Sequence, residues 1–271
     1  MNASTITEAA SASSARRRTL ALLAVLAAQF MLVLDATVVN VALPAIQADL
    51  HLPGARLTWV NNSYLIAFGG LLLLFGRLGD LFGRRRIFLT GLTSFTAASA
   101  ACGLAGSAAL LIVARFAQGL GAAAASSVVL AIIATEFSAP DERARAMSGY
   151  VFVSVSGGSV GLLLGGFLTQ TLGWHWIFLI NVPVGVATFV LARSVLRADP
   201  KVERTGQVDV LGSILVTGAA MTIIYALIEA GTHAWNTRAV MLLWASHSRI
   251  PRWIAATTSS CEYSIGRSAS T

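Results

Sequence analysis

The stretch TLALLAVLAAQFMLVLDATVVNVAL, residues 19–43, has one charged residue, Asp35, in a run that is otherwise uncharged and mostly apolar. About 20 apolar residues in a helix cross a hydrocarbon core about 30 Å thick. Because lipid cannot satisfy exposed peptide groups, an open chain crosses it as a helix. The stretch therefore predicts a membrane-spanning helix with a carboxyl group inside it.

The rest of the chain repeats this pattern. Its 271 residues are 56% hydrophobic and 11% charged, whereas soluble domains carry about 25% charged residues. Further segments with the length and apolar character of spans are 58–77, 86–105, 108–135, 146–172, 176–196 and 209–231. We therefore expect an all-α, polytopic membrane helical bundle: a six-helix bundle over residues 19–196, a seventh helix over 209–231, and a disordered N-terminal tail over 1–18.

Basic residues collect on one side of the predicted membrane. That side holds Arg16, Arg17, Arg18, Arg77, Arg84, Arg85, Arg86, Arg143, Arg145, Arg193, Arg197, Lys201 and Arg204. Through the seventh span the other side has only Arg56. Cytoplasmic loops carry the excess of Lys and Arg, so we expect a multi-pass plasma-membrane protein with a cytoplasmic N-terminus. No nucleic-acid partner is expected despite the net charge of +7, because the basic residues form no groove-binding face.

The apolar pattern ends after about residue 238. The run that begins there dissolves into Ser, Thr, Arg and Pro, and nothing in it can span a bilayer. We interpret residues 238–271 as an atypical polar tail that results from truncation or frameshift. A genuine short polar tail is the alternative.

Asp35 and Asn40 are polar groups placed where burial is most costly. A charged side chain at membrane depth costs at least about 2.5–3.5 kcal/mol, so such residues face a cavity or a partner. A buried carboxyl group can exchange protons near neutral pH, and when ionised it can balance a cationic ligand. We expect both residues on a proton or substrate path. Alternatively, Asp35 is only hydrogen-bonded to Thr37 or to a neighbouring helix.

A second charge lies within the predicted fourth span. At 100° per residue, one narrow stripe of that helix holds Arg115, Gln118, Gly119 and Ala122. The stripe should face protein or water rather than lipid. Arg115 and Gln118 are therefore expected beside the same path; a structural arginine that binds carbonyls of adjacent helices is the alternative.

The predicted fifth span is rich in glycine, with Gly157, Gly161 and Gly165 four residues apart and Gly166 beside them. Small residues at this spacing let helix backbones approach closely. Plain tight packing without a role in transport explains the spacing equally well.

The segment GRLGDLFGRRR, residues 76–86, connects spans two and three. Gly76 and Gly83 permit a sharp turn, and Asp80 is expected to cap the following helix. Arg84 and Arg85 belong to the basic run, which a solvated charge cluster would also explain. A solvated charge cluster does not explain why an acidic residue, Asp80, lies among glycines ahead of the basic run.

Groups for enzyme chemistry are not found in the sequence. Cys102 and Cys261 provide neither a disulfide framework nor metal-ligand spacing. There is no Ser/His/Asp set, metal cluster or phosphate-binding loop, so neither an enzyme nor a metal or cofactor is expected.

Together these motifs resemble the major facilitator superfamily, specifically its fourteen-spanner drug:proton antiporter branch of multidrug-resistance exporters. LDATVVNVALP (34–44) is similar to the first-helix motif, and GRLGDLFGRRRIFL (76–89) to the loop 2–3 signature. RFAQGLGAA (115–123) and GGSVGLLLGG (157–166) resemble the fourth-helix and helix-five antiporter motifs. Two positions depart from these patterns: Leu162 stands for a proline and Leu81 for a basic residue. A third departure lies in the aromatic motif WHW (174–176), where His175 stands for an arginine.

The resemblance implies the N-terminal six-helix half of a major facilitator fold plus one extra helix. It also implies proton-coupled efflux of amphipathic or cationic drug-like molecules, in which Asp35 exchanges protons and Asp80 with Arg84 latches one face. The implied partners are a small-molecule substrate, protons, the lipid bilayer and a missing C-terminal bundle. The alternative is a non-transporting membrane fragment or interaction module.

Overall fold

The computed structural model describes residues 3–197 and 217–226 of the chain. Every regular element in these ranges is a helix, which confirms the all-α prediction. The helices are α1 (Ala3–Asp49), α2 (Gly54–Phe82), α3 (Arg84–Gly103), α4 (Ala108–Glu136), α5 (Pro140–Thr171), α6 (His175–Leu179), α7 (Asn181–Val195) and α8 (Thr217–Ala226).

Five stretches of these helices are long and apolar enough to cross a membrane. They are Ala15–Asp49, Arg56–Phe82, Ala108–Glu136, Pro140–Thr171 and His175–Val195, the last formed by α6 and α7 together. Helix α3 does not reach the same apolarity, because three arginines open it and several Ser and Thr residues follow. It is nevertheless 20 residues long, which matches the thickness of a hydrocarbon core, and residues 87–103 carry no charge.

Helix α1 begins earlier than expected. It is helical from Ala3, where a disordered tail was expected up to residue 18. No glycine or proline interrupts residues 3–43, and alanine, the best helix former, is frequent there. Helix α8 falls inside the expected seventh span; the rest of that span and the tail over 238–271 lie outside the described residues.

Helix α4 is packed between α2 and α3 through glycines that touch backbone atoms. A Cβ at Gly119 would lie 2.5 Å from the Tyr64 carbonyl oxygen on α2, and one at Gly121 would meet the Phe95 backbone on α3. On α3, a Cβ at Gly91 would meet the Ala125 backbone in return. These contacts bring the axes of α2 and α3 close to the axis of α4.

Helices α1 and α5 pack in the same way. A Cβ at Gly157 would lie 3.1 Å from Val33, and one at Gly165 would lie 2.7 Å from Val38. A Cβ at Gly161 would meet Thr37 and lie 3.1 Å from the Leu34 carbonyl oxygen. The glycine face of α5 is therefore turned to α1.

The buried side chains form two apolar clusters along the bundle. One contains Met31, Leu32, Phe88, Phe95 and Ile133, and the other contains Val39, Ile46, Leu111, Ile177 and Phe178. On α1 the first cluster ends at Leu32 and the second begins at Leu34. Asp35 therefore lies near the junction of the two clusters.

Gly161→Ala should lower the free energy of unfolding by about 1–3 kcal/mol, because overpacking a close helix contact costs that much. Gly158→Ala is the matched control on the same helix, since its Cβ would meet only Thr37 Cγ2 at 3.9 Å. Unfolding in detergent micelles with increasing SDS gives both values. Equal values for the two variants would contradict the packing of α5 on α1.

Candidate functional site

Asp35 is held by three donors from two other helices. Its side chain has no exposed surface. Arg115 Nη1 on α4 donates to Oδ2 at 2.8 Å, Gln118 Nε2 on α4 donates to Oδ1 at 2.8 Å, and Asn181 Nδ2 on α7 donates to Oδ1 at 2.8 Å. The carboxylate thus faces protein rather than lipid, and α1, α4 and α7 meet at it.

Arg115 is also fully buried and makes several other contacts. Its Nε donates to the Val60 carbonyl oxygen on α2 at 3.1 Å. The guanidinium carbon lies 4.2 Å from the centre of the Tyr64 ring and 5.8 Å from that of Phe178, within the range of cation–π attraction. Arg115 therefore binds a carbonyl group of an adjacent helix and also forms an ion pair with Asp35.

Gln118 connects the ion pair to α3. Its Oε1 accepts from Arg115 Nη1 at 2.6 Å, and its Nε2 donates to Ser99 Oγ at 2.6 Å. The Cys102 thiol lies 3.7 Å from the same Oε1. Arg115 and Gln118 reach Asp35 together because residues three apart lie on one helix face.

Asn181 is the member of this group that sequence reasoning missed. It is buried and is the first residue of α7, directly after the break at Ile180. Pro183 lacks the N–H that would otherwise bind the Leu179 carbonyl, which explains a break at this point of the sixth span. An amide inside the apolar run FLINVPVG was the signal that could have identified it.

The structure does not bring Asn40 into this group. Its side chain is exposed, and Asn61 Nδ2 on α2 donates to its Oδ1 at 2.7 Å. Asn40 lies five positions beyond Asp35, so a helix turns it to another face.

The junction of α2 and α3 forms a separate polar site. Arg84 Nη2 lies 3.2 Å from Asp80 Oδ1, and Arg84 Nη1 donates to the Ala131 carbonyl oxygen on α4 at 3.3 Å. Arg85 Nη2 donates to the Arg193 carbonyl oxygen on α7 at 2.7 Å. Gly83 makes the turn with φ 101°, a conformation that only glycine adopts readily.

One expectation for this segment is wrong: Asp80 does not cap α3. It lies within α2, and Gly83 precedes α3 without a side-chain cap. The carboxylate instead pairs with Arg84 four positions later, one turn along the chain. Gly76 has open space where a Cβ would stand.

The motif positions on α5 differ among themselves. Gly157, Gly161 and Gly165 contact α1, whereas a Cβ at Gly166 would lie 3.9 Å from Val41, an ordinary contact. Leu162, where the resembled motif has proline, is exposed on a helix that continues to Thr171.

In the part of the chain that the structure describes, no three or more His, Cys, Asp and Glu side chains form a group that could hold a metal.

Comparison with known proteins identifies the class. The family model described as Major Facilitator Superfamily matches residues 25–260. The solved structure of a peptide transporter, POT, in complex with sulfate superposes with a TM-score of 0.61 at 16% identity, over 83% of this chain and 49% of that one. The chain belongs to the Major Facilitator Superfamily, whose members are transporters and not enzymes, and it is a multi-pass membrane protein.

Several of its sequence relatives are named as export or resistance proteins. It is 43% identical to the puromycin resistance protein pur8 of Streptomyces alboniger over 84% of this chain and 45% of that protein. It is 42% identical to the cephamycin export protein CmcT of Amycolatopsis lactamdurans over 82% of this chain and 46% of that protein. The chain thus spans a little less than half the length of these curated relatives.

Arg115→Met should lower the free energy of unfolding by about 3–5 kcal/mol, because it leaves Asp35 buried without its ion partner. The double variant Asp35→Leu with Arg115→Met should lose less than Arg115→Met alone. Arg77→Met is the control, since Arg77 is exposed on α2. If the losses in free energy of unfolding caused by the two substitutions simply add in the double variant, the two residues are not coupled.

Gly83→Ala should cost about 1–3 kcal/mol, because it forces a side chain into the left-handed region. Gly76→Ala, in open space within α2, should be neutral or slightly stabilising. Asp80→Asn should cost at most about 1 kcal/mol, since its pair with Arg84 is largely exposed. Thermal unfolding in detergent ranks the three variants, and a Gly83→Ala protein as stable as Gly76→Ala would contradict the turn geometry.

Proposed function

We propose that the chain is the N-terminal part of a proton-coupled exporter of amphipathic or cationic drug-like molecules. Two observations support this: several of its relatives are named for resistance to, or export of, antibiotics, and the fully buried Asp35 carboxylate is paired with the fully buried Arg115. The second observation carries the mechanism. A proton and a cationic substrate compete for one negative charge, so one leaves as the other binds.

Each site residue has a role in this proposal. Asp35 takes up and releases the proton, and Arg115 with Gln118 sets the charge that a proton or substrate meets. Release of Asp35 from Arg115 would leave both charges short of partners in an apolar bundle. Protonation removes the negative charge of Asp35 and weakens this attraction. It therefore favours another arrangement of α1 against α4, and proton binding can drive a change of access in this way.

The remaining motifs act in support. Asp80, Arg84 and Arg85, with the turn made by Gly83 after Gly76, tie the ends of α2 and α3 to α4 and α7 and serve as the latch. Gly157, Gly161, Gly165 and Gly166 provide a face on which α5 slides against α1. Asn40, paired with Asn61, offers polar contacts to substrate on another face of α1.

The proposed topology has the N-terminus in the cytoplasm and the protein in the plasma membrane. The distribution of arginines supports it: Arg17, Arg84, Arg85 and Arg143 all bind at one end of the bundle. Alternating access needs a second bundle that rocks against the first around a midplane site. The proposed partner is a C-terminal bundle of the same fold.

The test supplies that second half. The chain is produced together with the C-terminal half of pur8, reconstituted in proteoliposomes and given a pH gradient, and accumulation of the amphipathic cation ethidium is followed. Asp35→Asn should reduce gradient-driven transport to the background of empty liposomes while expression stays normal. Asp141→Asn is the matched control, because it removes an exposed carboxylate at the start of α5.

Two results would count against the proposal. Unchanged transport by Asp35→Asn refutes the proton role of Asp35. A stable assembly of wild-type halves that transports nothing, while intact pur8 transports ethidium in the same assay, favours a non-transporting membrane module.

A further inference from the structure

Asn181 is the least constrained of the three donors to Asp35. Its Nδ2 lies 2.8 Å from Oδ1, and its amide makes no other hydrogen bond among the described residues. We propose that Asn181 is a positioning residue for Asp35 whose amide turns from donor to acceptor when the carboxylate takes up a proton. This inference rests on the proposed function, in which Asp35 exchanges protons.

The two carboxylate oxygens differ in where a proton can be accommodated. Oδ2 faces Arg115 Nη1, and a guanidinium has donors but no acceptor. A proton on Oδ2 would therefore meet only N–H groups. Oδ1 faces two amides, from Gln118 and Asn181, and each amide also has an acceptor oxygen. The proton is therefore accommodated on Oδ1, provided that one amide turns.

Gln118 is not free to turn. Its Oε1 accepts from Arg115 Nη1 at 2.6 Å, and its Nε2 donates to Ser99 Oγ at 2.6 Å. Turning the amide would place its NH2 group against the guanidinium, donor against donor. Asn181 gives up one hydrogen bond when it turns and regains one from the protonated carboxyl group. Asn181 is therefore the amide that responds.

The groups around Asp35 support this assignment. The titratable side chains around it are Arg115 on α4, which binds Asp35 directly, Tyr64 on α2, which contacts Arg115, and Cys102 on α3, which contacts Gln118. Helix α7 contributes Asn181, which does not titrate. Arg115 has donors only, so its hydrogen bond to Oδ2 needs no change of direction when Oδ1 takes up a proton. The amide that must change from donor to acceptor therefore lies at Oδ1, on α7.

The position of Asn181 gives the turn a structural consequence. It is the first residue of α7, next to the break at Ile180 that divides the sixth span. A broken span has fewer backbone hydrogen bonds that resist movement at that point. Protonation of Asp35 is thereby linked to the junction of α6 and α7.

The experiment follows the carboxyl C=O infrared band of Asp35 in the purified chain in nanodiscs during a pH titration, with Asp35→Asn to identify the band. Asn181→Leu and the smaller Asn181→Ala should both protonate Asp35 at a pH up to about one unit higher, because the carboxylate loses a charge-assisted hydrogen bond that is stronger than the one the protonated form loses. In both variants the band of the protonated form should also shift in frequency, because the O–H has lost its acceptor. Thr188→Val, a buried change two turns along α7, should leave both readouts unchanged.

Each other outcome overturns the inference. A midpoint within about 0.2 unit of wild type means that Asn181 does not position Asp35. An equal shift in Thr188→Val means that the effect is general to α7. A moved midpoint with an unchanged band means that Asn181 donates but does not turn. If wild type shows no Asp35 band between about pH 4 and 10, the proposed proton role fails as well.

Discussion

Asp35 and Arg115 form an ion pair of 2.8 Å in which neither side chain has exposed surface. Removing two charges from water is costly, and the attraction between them offsets that cost only if geometry is good and remaining polar atoms are satisfied. Here Gln118, Asn181 and the Val60 carbonyl provide partners for most of these atoms, and Arg115 Nη2 is buried without a hydrogen-bond partner among the described residues. Asp35 is on α1 and the partners come from α2, α4 and α7. The pair therefore fixes the relative positions of these four helices.

Close helix packing makes such a pair attainable. Side chains of Asp, Arg, Gln and Asn reach one another only when their helices approach closely, and the glycines Gly119, Gly121 and Gly161 allow this by letting backbones touch. Lipid supplies little apolar force between helices, so packing and interhelical hydrogen bonds hold a membrane bundle together. The small residues and the polar residues are thus two parts of one arrangement.

The basic end of the bundle has two roles. Arginines that orient membrane proteins also bind carbonyl groups left free at helix C-termini. Arg17 donates to the Val195 carbonyl oxygen of α7 and pairs with Glu136 at 3.0 Å. Arg143 donates to the Phe137 carbonyl oxygen at 3.1 Å. Positive charge near a helix C-terminus is favoured by the helix dipole, so the charge pattern also stabilises the ends of α4 and α7.

The sequence by itself determined the helical class and the family, because apolar run length and local motifs are properties of neighbouring residues. It also singled out Asp35, Arg115 and Gln118, since polar groups in apolar helices are conspicuous. Only the tertiary structure decided that Asn181 joins them, that Asn40 does not, and that Asp80 pairs with Arg84 instead of capping α3. These facts depend on helix rotation and on where α6 breaks from α7, which contacts distant in sequence set and which no local pattern records.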